Sequence, residues 1–181
     1  MTAEEYLQLK AFARIDGARL SLLWIASFVC YLVGLSLPGL VLIAFGLAIA
    51  TPFLAARDLR RFRDDVRSGV ISMRRGWAYV VLVFFYAGLL FAIGQYLYFA
   101  YMDGGYLTQS ISKMVASPES QEVISQYGMA DMLNESLQAF HEMRPIDMAL
   151  QALTVNISLG IVLGLPIAAM MRREQIIKKN N

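Results

Sequence analysis

Residues 57–75 read RDLRRFRDDVRSGVISMRR, an arginine-dense stretch with a long apolar segment on each side. Seven of the sixteen Lys and Arg residues of the chain lie in it. Basic residues gathered beside apolar spans set how a chain sits in a bilayer, so this stretch decides both the fold class and the orientation. Composition agrees: of 181 residues, 57% are hydrophobic and only 17% are charged, too apolar for an ordinary soluble domain. The net charge is only +2, and the basic residues form no continuous stripe, which argues against a nucleic-acid partner.

A bilayer core of about 30 Å needs roughly 20 apolar residues in helical form. Four runs free of Asp, Glu, Lys and Arg meet or approach that length: residues 20–35, 39–56, 76–102 and 148–171. Ser36, Leu37 and Pro38 alone separate the first two, and Pro followed by Gly39 breaks a helix, so these runs are expected to form a helical hairpin. Pro52 predicts a local kink late in the second. Trp77 and Tyr79 mark one end of the third run, and Tyr96, Tyr98 and Tyr101 the other, where amphipathic rings favour the headgroup level.

Three basic residues precede the first run, seven lie in 57–75 and four follow the fourth run, leaving only Lys113 and Arg144 in the segment 103–147. The positive-inside rule then places the N-terminal segment 1–19, the arginine-rich segment 57–75 and the basic tail 172–181 in the cytoplasm, and 103–147 outside. The expectation is a bacterial inner-membrane protein with both termini cytoplasmic. Residues 1–19 open with acids and lack the pattern of a cleaved leader, so the first run is expected to be an uncleaved anchor. Tyr6, Leu9, Phe12 and Ala13 would give the preceding residues one apolar side, as in a short interfacial helix.

The segment 103–147 is acidic and patterned as helix. Ser117, Pro118 and Glu119 read as N-cap, first-turn proline and early acid. Gly128 ends that helix, and 131–142 forms another with Met132, Leu133, Leu137 and Phe140 on one face. Such a face needs a cover, whether membrane helices, the bilayer surface or a partner. The fold class is therefore all-α: a polytopic membrane protein with four transmembrane helices and an extracytoplasmic helical insert between helices 3 and 4.

Few residues invite a chemical reading. The spacing of Arg60 with Asp64 and of Arg61 with Asp65 predicts helical ion pairs. Arg74 and Arg75 lack a neighbouring acid and are the candidates for contact with anionic lipid or an acidic partner. Gln95, Gln151, Thr154, Asn156 and Ser158 could line a polar path, although such groups more often bond between helices. Gly160 and Gly164 form GxxxG, with Gly88 and Gly94 as counterparts for close helix packing, within the chain or between copies. His141 is the sole histidine and Cys30 the sole cysteine, so neither a metal site nor a disulfide framework is expected. No phosphate loop or nucleophile elbow is present, so no catalytic residue and no cofactor is assigned.

Taken together, the apolar hairpin, Arg63 with Asp64, Gly69 to Ser72 leading into the third helix, Asp103 at its far end and the Gly-rich residues 160–169 have a known counterpart. The layout resembles the bacterial inner-membrane family catalogued as domain of unknown function 4199, found mainly in Bacteroidota. That family often carries Pro after the outer Asp, where this chain has Gly104. The resemblance implies a four-span membrane protein and supplies no activity. The expected role is a non-enzymatic scaffold or accessory subunit for a cell-envelope partner. A small oligomeric transporter or channel is the first alternative, and a membrane enzyme acting on a lipid phosphate the second. The partners implied are the lipid bilayer and either another membrane protein or a second copy.

Overall fold

The computed structural model describes residues 2–173; most of the basic tail, with Lys178 and Lys179, lies outside them. Seven α-helices follow in order among the described residues: α1 (Ala3–Gly34), α2 (Gly39–Arg61), α3 (Met73–Tyr101), α4 (Tyr106–Val115), α5 (Pro118–Gln126), α6 (Ala130–Glu142) and α7 (Pro145–Met171). α1, α2, α3 and α7 are long and apolar enough to cross a membrane. The residues form two compact units, one running up to Ala92 and resuming at Gln151, the other Ile93–Leu150.

In the first unit, α1 starts with a capping box: the Thr2 hydroxyl accepts from the Glu5 amide at 3.2 Å, and the Glu5 carboxylate accepts from the Thr2 amide at 2.9 Å. The helix then continues without a break through the junction between the polar opening and the first apolar run. A separate interfacial helix over 1–19 is therefore not what forms. Leu9 and Ala13 are buried and Phe12 packs on Phe62, while Tyr6 is exposed. The side expected to meet a membrane surface meets the protein instead. α2 follows after a tight turn and packs along α1 as a hairpin. It continues past Pro52, and its end runs into a π-helical turn, Phe62–Val66, so the arginine-rich stretch is largely helical.

α3 is the most enclosed span, with 44% of its apolar window buried against 33%, 17% and 22% for α1, α2 and α7. Tyr79, Val80, Val83, Phe84 and Ala87 supply its core face. Lipid tails are as apolar as leucine, so burial alone gives membrane helices little reason to associate; close contact and interhelical hydrogen bonds do more. Both are present. A Cβ added at Gly17 of α1 would lie 2.8 Å from the Val83 carbonyl oxygen of α3, and one at Gly160 of α7 would lie 2.5 Å from the Phe84 Cβ. Trp24 Nε1 donates to Thr51 Oγ1 at 3.0 Å, Ser27 Oγ to the Ala44 carbonyl at 2.8 Å, and Trp77 Nε1 to the Ile161 carbonyl at 3.0 Å.

The second unit holds the far part of α3, helices α4 to α6 and the start of α7. Asp103 organises its opening, its carboxylate accepting from the amides of Gly105 at 3.0 Å and Leu107 at 3.2 Å and so fixing the turn that leads into α4. Gly104 and Gly105 both adopt positive φ, +51° and +84°, a turn that glycine makes at little steric cost. The Ser117 hydroxyl caps α5 by accepting from the Ser120 amide, and Gly128, at φ +62°, follows that helix. The pattern of 103–147 is helical as a whole but marks individual helices only from Ser117 onward, so α4 adds a third helix to the two expected. α6 packs on α4 yet buries no residue fully.

Candidate functional site

The polar groups of the first unit converge where α1, the end of α2 and the start of α3 meet. Asp16 is 1% exposed, one turn before the first apolar run. Its Oδ2 accepts a short hydrogen bond from the Tyr79 hydroxyl of α3. Its Oδ1 accepts from Arg61 Nη2 of α2 at 2.5 Å and from Arg19 Nη1 at 3.2 Å. One carboxylate thus ties three helices together. Tyr79 itself is fully buried and stacks on Phe62, ring centroids 4.8 Å apart. A charge buried this deeply is stable only when paired and hydrogen-bonded, and both oxygens of Asp16 are.

Glu5 forms a second tie. Its two oxygens accept from Arg67 at 2.9 Å and from Arg75 at 2.5 Å. Arg63, buried, makes a fork on Asp64 at 2.7 and 3.0 Å and also donates to the Met171 carbonyl at the end of α7, at 3.0 Å. Close by, Ile71 and Arg173 exchange two backbone hydrogen bonds. The arginine-rich stretch is therefore pinned to both ends of the chain's helical core.

Two expectations are corrected here. Arg61 pairs with Asp16 and not with Asp65: the buried Asp16 carboxylate needs donors, whereas Asp65 is exposed to solvent; Arg60 and Asp64 do meet, at 3.7 Å. Arg75 has an acidic partner after all, Glu5, seventy residues away. Arg74 stays exposed and makes no ion pair among the described residues.

The glycines fall as follows. Gly88 faces Leu153 and Asn156 of α7, Gly160 faces Phe84, and Gly164 faces Trp77 and Val80 of α3; Gly94 is half-buried. Within α7, Asn156 Nδ2 donates to the Ala152 carbonyl at 2.8 Å and Ser158 Oγ to the Thr154 carbonyl at 2.9 Å. In α6, Leu133, Leu137 and Phe140 are half-buried and Met132 is exposed. His141 is exposed, and no three His, Cys, Asp or Glu side chains cluster as metal ligands among the described residues.

Two concavities mark the first unit. One is an apolar crevice of about 350 Å³ bounded by Trp24, Phe28, Phe84, Phe91 and Asn156 among others. The other, about 390 Å³, opens between α1 and α2 and is lined by Arg19, Leu20, Leu23, Leu54, Arg57, Asp58 and Arg61.

Four long apolar helices, held by small residues and by a buried ionic tie, define a multi-pass α-helical membrane protein. The chain belongs to the family described as protein of unknown function (DUF4199), whose model matches residues 16–173. No curated protein and no solved structure matches it.

Asp16 is not evident from the apolar runs because it lies just before the first of them, which starts at Leu20. A signal was there: Leu9, Ala13, Asp16, Leu20 and Trp24 fall three or four residues apart, a helical stripe with one acid in it. An acid on an otherwise apolar stripe marks a group that needs a buried partner.

Proposed function

We propose that this protein is a non-enzymatic integral membrane scaffold or accessory subunit for a partner in the cell envelope. It sits in the bacterial inner membrane with both termini and the arginine-rich stretch in the cytoplasm. The basic-residue count supports that orientation. The observation that carries the role is the contrast in how side chains are used. In the first unit Arg61, Arg67 and Arg75 are committed through Asp16 and Glu5 to holding helices, whereas the insert carries Val123, Tyr127 and Met132 as exposed apolar residues. Exposed apolar residues on a short helical layer suit contact with another protein.

The channel reading is weaker because Asn156 and Ser158 satisfy themselves on carbonyls of their own helix, and Gly160 and Gly164 face α3. Photo-crosslinkers placed at Tyr127 and Met132 in living cells test the proposal. A discrete adduct with a second membrane or envelope protein is expected at both positions. Adducts only with copies of the chain itself, or with lipid alone, would overturn the partner reading.

A further inference from the structure

The cleft between α1 and α2 is unlike the rest of the charged end. Three guanidinium groups, from Arg19, Arg57 and Arg61, share it with the apolar side chains of Leu20, Leu23 and Leu54. Arg19 and Arg61 both donate to one oxygen of Asp16, each through a single terminal nitrogen, so a carboxylate behind the cleft holds two like charges side by side. Each guanidinium has five N–H donors, which leaves donors on both for a ligand in front. Arg57 is exposed and makes no ion pair among the described residues. Asp58 also lines the cleft. Three guanidinium groups against the one lining carboxyl leave the cleft basic.

Position adds the second half of the inference. Arg19 immediately precedes the first apolar run, and Arg57 immediately follows the second. The cleft therefore lies where apolar helix surface gives way to charged surface, with leucines on one flank and arginines on the other. A free anion has no use for the leucines, whereas a membrane lipid carries a phosphate at this level and acyl chains alongside it. Its volume is within the range of about 300–1,000 Å³ of small-molecule sites.

The geometry points to a binding site for the phosphodiester headgroup of an anionic phospholipid, held by Arg19, Arg57 and Arg61 with its upper chain against Leu20, Leu23 and Leu54. This site differs from the one at Arg74 and Arg75 expected from the sequence. It goes beyond the scaffold reading and does not depend on it.

The test uses the full chain in a mild non-ionic detergent, with bound lipid counted by native mass spectrometry. Phosphatidylglycerol, phosphatidylcholine and inorganic phosphate are the three probes. Phosphatidylglycerol is expected to bind well ahead of phosphatidylcholine. Arg57→Ala should weaken it about fivefold, as for loss of one cation near the surface, and Arg57→Gln should do the same with the stem retained. Asp58→Asn should tighten it. Arg14→Ala, which removes an exposed cation that makes no ion pair among the described residues and does not line the cleft, should leave it within about twofold. Two results would overturn the site: unchanged binding in both Arg57 variants, or an equal loss in Arg14→Ala, which would mean undirected attraction. Displacement of phosphatidylglycerol by inorganic phosphate at matching concentration would overturn the lipid assignment. Because these readouts involve no protein partner, failure of the scaffold reading leaves them unaffected.

Discussion

The two units hold themselves together in different ways. In the first, side-chain hydrogen bonds join residues far apart in sequence: Asp16 with Arg61 and Tyr79, Glu5 with Arg67 and Arg75, Arg63 with the end of α7. In the insert, bonds such as Ser117 with Ser120 and Gln121 with the Val115 carbonyl close over three and six residues. The difference follows helix length and composition: the first unit is built mainly from long apolar helices, the insert from short, more polar ones. Helices in lipid gain little from hiding apolar surface, so polar ties and close backbone approach must fix their arrangement. Short polar helices can be shaped by caps and turns and still leave apolar residues outside. Substitutions in the first unit should therefore be felt throughout it, and those in the insert should stay local.

The largest break is Asp16→Ala. It leaves the buried Tyr79 hydroxyl without its acceptor and parts Arg61 from its carboxylate. Removing one partner of a buried pair costs about 3–5 kcal/mol. The lower end, about 3 kcal/mol, is expected here, because Arg61 is 39% exposed and can regain water. A fall in thermal unfolding temperature in detergent measures it. Asp16→Asn keeps an acceptor for Tyr79 and should recover part of the loss. If Asp16→Ala unfolds at the wild-type temperature, the carboxylate does not hold the three helices.

Four spans are legible in the sequence because twenty-residue apolar runs have few other uses, and the hairpin is legible because Pro38 and Gly39 leave no room for a linker. The cap at Ser117 is legible for a similar reason, since its signal lies within four residues. What stays hidden is non-local. Nothing in the spacing of Glu5 says that it will meet Arg67 and Arg75, since local pattern carries no record of which helices become neighbours. The partner of Arg61 is hidden in the same way, being Asp16, 45 residues away, and not Asp65 on its own stretch. The cleft is likewise non-local, assembled from α1 and α2 beside a carboxylate that lies outside every apolar run.

Next in size is Gly17→Ala, which tests close approach where Asp16→Ala tests charge. The added methyl would lie 2.8 Å from both the Val83 carbonyl oxygen and the Tyr86 Cβ of α3. Backbone and Cβ atoms cannot swing aside as a side-chain tip can, so the helices must separate. Overpacking of this kind costs about 1–3 kcal/mol. Gly46→Ala, where an added Cβ meets nothing within 4 Å, is the matched control and should be neutral or slightly stabilising. Equal unfolding temperatures for the two variants would show that α1 does not press on α3 at this point.

The smallest effect belongs to the insert and is the most informative about what the insert is for. Met132 of α6 is 57% exposed. Met132→Ser lowers helix propensity slightly and removes no buried contact, so stability should change by no more than about 0.5 kcal/mol. Unfolding temperature in detergent should accordingly match the wild type. If α6 serves as a partner surface, the same substitution should weaken a cross-link formed from Tyr127 in cells, with the fold untouched. That combination separates a surface kept for contact from one kept for packing. A drop in stability as large as that of Gly17→Ala would mean that Met132 is covered within the folded protein, and the contrast between the two units would fail at the residue where it is sharpest.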